Sequence, residues 1–188
     1  MSDAARLEAI LRGAPRLMQV LETARDLDLT DWLLFSGAIY QCVLNDLTGR
    51  DPDYGIKDYD LGYFDPADTS YEAEDRVIKR VAAAFAPPLR EAVEVRNQAR
   101  VHLWFEGRFG EPYAPLSDTA EALTRFVSPT FAVGARLEPD GRMTLVAPFG
   151  LDDLFALRIR PNPGRPSPNY PAIAEAARRR WPELRIET

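Results

Sequence analysis

Apolar and polar positions along the chain change period several times, and each change marks a candidate element. In "AARLEAILRG" and "PRLMQVLETARDL", Leu7, Ile10 and Leu11, then Leu17, Val20 and Leu21, recur at helical spacing. Gly13 and Pro15 separate the two runs, one suited to ending a helix and the other to starting one. "DWLLFSG" is a short apolar run ending in a tight turn and reads as a buried strand. "AIYQCVLNDLTG" returns to helical spacing and closes on Gly49, and the polar "RDPDYG" that follows is a loop. "DYDLGYF" alternates and reads as a strand. "DTSYEAEDRVIKRVAAAF" opens with Thr69 three residues before Glu72, a capping-box spacing, and predicts a helix that stops before Pro87 and Pro88.

The second half is less regular. "EAVEVRN" predicts a strand, while "QARVHLWFEGRFG" suits either helix or extended chain. "SDTAEALTRF" predicts a helix, with Asp118 three residues ahead of Glu121. Two alternating runs in "TFAVGARLEPDGRMTLVAP" predict a hairpin around Pro139, Asp140 and Gly141. "GLDDLFALRI" begins a short helix, and "RPNPGRPSPNYP" is a connector into a last helix, "PAIAEAARRRW". Strands and few helices alternate without a repeat, so the pattern predicts an α+β (mixed α/β) fold, one small mixed sheet with flanking helices. The expected organisation is a single domain over residues 1–188, with N-terminal helices within 1–29 and a proline-rich extension over 161–188 wrapping the core.

With 46% hydrophobic and 28% charged residues, the chain can bury one full core. The net charge of -6 argues against bulk nucleic-acid binding. No apolar stretch reaches membrane-span length, and "MSDAARLEAILRG" lacks the order of a secretory signal, so a cytoplasmic location is expected. A lone cysteine, Cys42, leaves no internal disulfide and reads as core packing.

Three features change the picture from fold to chemistry. On a strand Asp58 and Asp60 point to one face, which is the pattern of a wet edge strand and equally of a carboxylate pair for a hard cation. Upstream, Ser36 and Gly37 form a turn that opens into a helix, where a missing side chain lets backbone amides approach phosphate. Downstream, Glu94 stands on a further strand, its neighbours Val93 and Val95 facing the other way. Together they can assemble three carboxylates beside a phosphate cradle, as two-metal phosphoryl transfer needs. Arg96, Asn97 and Arg100 follow Glu94 closely enough for Asn97 and Arg100 to meet phosphate or base, Arg100 alternatively pairing with one of the acids. His102, the one histidine, reads as structural; Asp152 and Asp153 read as first-turn acids of a helix; Arg178, Arg179 and Arg180 read as a solvated helix face.

The strings "FSGAIYQCVLNDLTGR", "YGIKDYDLGYFD", "VEVRNQARVHLWF", "FAVGARLE" and "APFGLDDLF" resemble a bacterial nucleotidyltransferase-like family of the DNA polymerase β-type superfamily. That resemblance implies a polymerase-β-like nucleotidyltransferase fold and transfer of a nucleoside monophosphate from an NTP to an unidentified acceptor hydroxyl. It implies Mg²⁺ or Mn²⁺ held by Asp58, Asp60 and Glu94, with Glu94 assisting deprotonation of the acceptor. Ser36 and Gly37, with Asn97 and Arg100, would contact the nucleotide. The superfamily's turn usually carries serine or glycine after the first glycine, and here Ala38 stands there. That difference supports an alternative, a catalytically inactive nucleotide- or metal-binding module that keeps the fold.

Overall fold

A computed structural model describes residues 2–188. It is an α+β protein in which helices cover one face of a small mixed sheet far more heavily than the other. Helices α1 (Asp3–Arg12) and α2 (Pro15–Leu27) bury Leu7, Leu11, Leu17, Val20, Leu21 and Ala24, the stripe that their spacing calls for. Strand β1 (Leu33–Phe35) is buried throughout, and α3 (Gly37–Leu47) follows it directly, burying every residue from Gly37 to Asn45. Next come β2 (Tyr59–Tyr63), α4 (Tyr71–Ala84), the single turn α5 (Leu89–Ala92) and β3 (Val93–Asn97). A 3₁₀ segment over Gln98–Leu103 leads into α6 (Phe105–Phe109), and another spans Ala120–Arg125. The hairpin of β4 (Gly134–Leu137) and β5 (Met143–Val146) is followed by α7 (Asp152–Phe155), β6 (Arg158–Ile159), α8 (Tyr170–Arg180) and β7 (Arg185–Ile186).

The main sheet has the order β3-β2-β1-β4-β5, with β2 and β3 parallel and the other neighbours antiparallel. Its two faces differ. Leu34, Tyr59, Leu61, Tyr63, Val95 and Ala135 point into the large core that the helices build. The opposite face carries only a small cluster of Leu33, Phe35, Leu123 and Ala132. On β2, Asp60 and Gly62 occupy this thinly covered side, opposite Phe35 and Leu33. Gly62 is required there, because a Cβ would stand 2.5 Å from the Phe35 ring. The sheet thus has a dry face that stabilises it and a half-open face that can carry polar groups.

Four local expectations are revised. The N-cap of α4 is Ser70, whose hydroxyl accepts from Ala73 N at 3.2 Å, one residue later than the Thr69 spacing suggests. The Asp118 carboxylate does accept from Glu121 N, but only a 3₁₀ turn follows, with Ala122 and Leu123 its buried residues. So short an apolar stripe has no further face to bury, and the chain is extended again at Phe126. Asp153 is more than a first-turn acid: it is buried and paired with Arg158 and Arg160. The proline-rich extension does more than wrap, since β7 pairs with β6 in a second, two-stranded sheet and Trp181 sits in the core with no exposure. Cys42 packs in the same core, and burial pushes its thiol up to about 12.

Candidate active site

The half-open face of the sheet gathers the candidate residues at one end of β1. The backbone at Ser36 has φ 65 and ψ −137, a conformation L side chains rarely adopt. Such strain persists only where the surroundings hold it, and it concentrates at functional turns. The Ser36 carbonyl accepts from Ile39 N and Tyr40 N, at 3.1 and 3.2 Å, while its hydroxyl leaves the helix start uncapped. The side chain instead lies near enough to Asp60 to draw its carboxyl down.

Strand register fixes the acids. Asp60 lies opposite Phe35 on one side and Glu94 on the other, so the end of β1 and the starts of β2 and β3 meet there. Asp58 stands just ahead of β2, and its Oδ1 lies 3.8 Å from where a Gly37 side chain would begin. In this setting the Asp60 carboxyl is pushed up to about 6, first by burial and then by the charges of Asp58 and Glu94. The Ser36 hydroxyl and the charge of Arg96 pull it the other way, without prevailing. Glu94 is exposed and lies 3.6 Å from Arg96. Ser36, Gly37, Asp58, Asp60 and Glu94 are therefore brought together.

Asn97 and Arg100 are not. Parity along β3 puts Asn97 on the opposite face from Glu94, where it is buried. Its side-chain oxygen accepts from Asp65 N and Ala99 N, both at 3.1 Å, and its amide donates to Asp65 O at 2.9 Å. Arg100 pairs with the buried Glu74 of α4 and donates to Thr69 O at 3.1 Å. Both residues tie α4 and the segment after β2 to β3. The arginine that shares the acids' side is Arg96. His102 is half-buried, its Nδ1 without a partner.

Among the described residues, no three His, Cys, Asp or Glu side chains are grouped so that they could hold a metal ion. The oxygens that do gather there, on Asp58, Asp60 and Glu94, are of the type hard divalent cations take, and the Asp60 carboxyl is raised first by burial and then by the charges of the other two.

Beside the acids opens a cleft of about 370 Å³ that shares Ser36 and Arg96 with them. Its walls include Phe35, Tyr40, Trp104, Phe105, Tyr113 and Phe126, with Gln98 as a buried amide. The Phe105 and Tyr113 rings stack 4.5 Å apart, and the Arg165 guanidinium lies 5.3 Å from the Phe105 ring centre. An aromatic slot of this size suits a planar heterocycle. The site reading from sequence passes over these residues; the density of Trp104, Phe105, Phe109 and Tyr113 shortly after the third acid is the signal that marks them.

A protein family described as nucleotidyltransferase matches residues 22–186. An NMR structure said to reveal a CCA-adding enzyme head domain superposes with a TM-score of 0.78 at 25% identity, covering 100% of this chain and 96% of that one. A structure of a tRNA-processing enzyme complex matches with a TM-score of 0.42 and 19% identity, over 84% of this chain and 38% of the other. No curated protein matches the chain.

Proposed function

The chain belongs to the nucleotidyltransferase family, and from that premise we propose that it moves a nucleoside monophosphate from an NTP to an acceptor hydroxyl, with Mg²⁺ or Mn²⁺. One observation carries the reading: Asp60, with its carboxyl raised to about 6 between Asp58 and Glu94, stands beside the strained Ser36 turn. A strand with a merely wet face would leave such a carboxyl near its ordinary value, whereas partial burial beside two exposed acids raises this one.

Asp58 and Asp60, with Glu94 at the margin, would hold the divalent cation, which when bound neutralises triphosphate charge and acidifies the acceptor hydroxyl. The chain's own residues supply the rest. Gly37 offers no side chain to obstruct a phosphate, and Ser36 adds a hydroxyl from the preceding position. Ala38 is fully buried, so the residue after the glycine has no access to the cleft. The aromatic slot takes the base and fixes the nucleotide so that the α-phosphorus faces the acids. Glu94, exposed at the edge, accepts the proton of the incoming hydroxyl. The acceptor oxygen then bonds to the α-phosphorus as the α–β phosphoanhydride bond breaks, and pyrophosphate leaves.

The net charge of -6 favours an acceptor other than a long polyanion. No helix among the described residues is long and apolar enough to cross a membrane, and a membrane acceptor finds no support there. The second reading, an inactive binding module, draws on the buried Ala38 in place of a hydroxyl-bearing residue. Pyrophosphate release separates the two. Incubation with each of the four NTPs and Mg²⁺ or Mn²⁺, across a panel of small-molecule and protein hydroxyls, is expected to release pyrophosphate only when metal is present. Nucleotide binding without release from any combination supports the module instead.

A further inference from the structure

The last helix brings a cation to the same cradle. Arg180 closes α8, and one of its guanidinium nitrogens donates to Gln41 Oε1 at 3.3 Å and to Gly55 O at 3.2 Å. Its carbon lies 4.7 Å from the Trp181 ring centre. All three partners are neutral. Arg178, two residues earlier, is paired with Glu175, whereas Arg180 has no carboxylate within 4.0 Å among the described residues. Most of its five N–H donors are left for something else.

What surrounds it indicates what that is. Gln41 is one helical turn beyond Gly37, and its Nε2 lies 2.8 Å from the point where a Gly37 side chain would begin. Asp58 Oδ1 approaches the same point from 3.8 Å. Arg180 thus stands behind Gln41, whose amide occupies the space over Gly37 on the side opposite Asp58. The Tyr40 hydroxyl senses both charges, the Arg180 guanidinium and the Asp58 carboxylate. A half-buried arginine that reaches the acids' end of α3 through Gln41, yet pairs with no carboxylate, keeps N–H donors for an anion.

We propose that Arg180 binds the terminal phosphates of the triphosphate, and the leaving pyrophosphate, beside Gly37, where they take the place of the flexible end of the Gln41 side chain. This rests on the nucleotidyl-transfer reading and extends it by making the C-terminal helix part of the site. Guanidinium suits the task because its fork matches two phosphate oxygens at once. A tie between α8 and α3 is the competing explanation, since the bonds to Gln41 and Gly55 would serve it.

The test is calorimetric titration of the full chain with inorganic tripolyphosphate and Mg²⁺, beside titration with each nucleoside monophosphate. Arg180→Gln is expected to weaken tripolyphosphate about tenfold or more, to leave monophosphate affinity unchanged, and to have a melting temperature close to wild type. Arg180→Lys, which keeps the charge, is expected to retain part of the lost affinity and covers the case in which the glutamine variant does not fold. Tripolyphosphate affinity unchanged in both variants overturns the proposal while leaving the proposed function standing. A wild-type chain that binds neither tripolyphosphate nor any NTP overturns both.

Discussion

Asp60→Asn is expected to lower nucleotidyl transfer about a thousandfold and, at neutral pH, to make the protein more stable. Both effects come from the same carboxylate. Burial and the neighbouring acids raise it from its ordinary 3.8 to about 6, so the folded chain holds this proton more tightly than the unfolded chain does. That contribution is fully present below about pH 4, is lost as pH rises through about 6, and above that the ionised group opposes the fold. The separation corresponds to about 3 kcal/mol at most. Asparagine keeps the shape and cannot ionise, so its advantage belongs at pH 7.5 and vanishes near pH 4. Melting curves at the two values check this. Added Mg²⁺ is expected to raise the melting temperature of the wild type at pH 7.5 and to leave that of Asp60→Asn nearly unchanged. A variant that is less stable than wild type at pH 7.5 contradicts the account of Asp60 as a destabilising group kept for function.

Trp181→Ala is expected to lower stability by about 3–5 kcal/mol, the largest structural effect of any single truncation considered. The indole is fully buried among residues that include the fold's first and last helices. Its Nε1 donates to Asn45 Oδ1 at 2.9 Å, and the Asn45 amide in turn donates to Pro52 O and Tyr54 O, at 3.0 and 2.8 Å. Gly55 packs flat on the same ring, where a Cβ would come within 3.4 Å of it. Trp181 therefore supports the loop that delivers Asp58, and its loss removes both packing and a buried hydrogen bond. Trp181→Phe keeps most of the apolar volume and is expected to cost only about 1–2 kcal/mol. Urea unfolding of the two variants separates packing from hydrogen bonding. An alanine variant as stable as wild type would show that the C-terminal segment is only an appendage.

Locally encoded parts of the site were legible from sequence. The Ser36-Gly37 turn follows from an apolar run meeting a helical one, while β2 begins only at Tyr59, so the period of two places Asp60 and not Asp58, which stands just ahead of the strand. Glu94 is identified by the same parity. That parity also separates Arg96, on the acids' side, from Asn97, on the other, a distinction lost when Arg96, Asn97 and Arg100 are taken as one group. What local pattern cannot supply is register between distant segments. That β3 lies parallel beside β2, with Glu94 opposite Asp60, depends on the crossover through α4. The C-terminal segment was misjudged for a different reason. Its prolines give it the composition of a linker, while Tyr170, Ala174, Ala177 and Trp181, all buried, recur at helical spacing and mark a core face. Arg180 was assigned to solvent because its partners, Gln41 and Gly55, are more than a hundred residues away in sequence.

The central claim is that Asp58 and Asp60 form a site for metal-bound nucleotide, and calorimetric titration of NTP in the presence of Mg²⁺ tests it most directly. Wild type is expected to bind at least one of the four NTPs, and the Asp58→Ala/Asp60→Ala double variant, folded by its melting curve, is expected to bind at least about a hundredfold more weakly. Equal binding by the two proteins, or no binding by either, contradicts it.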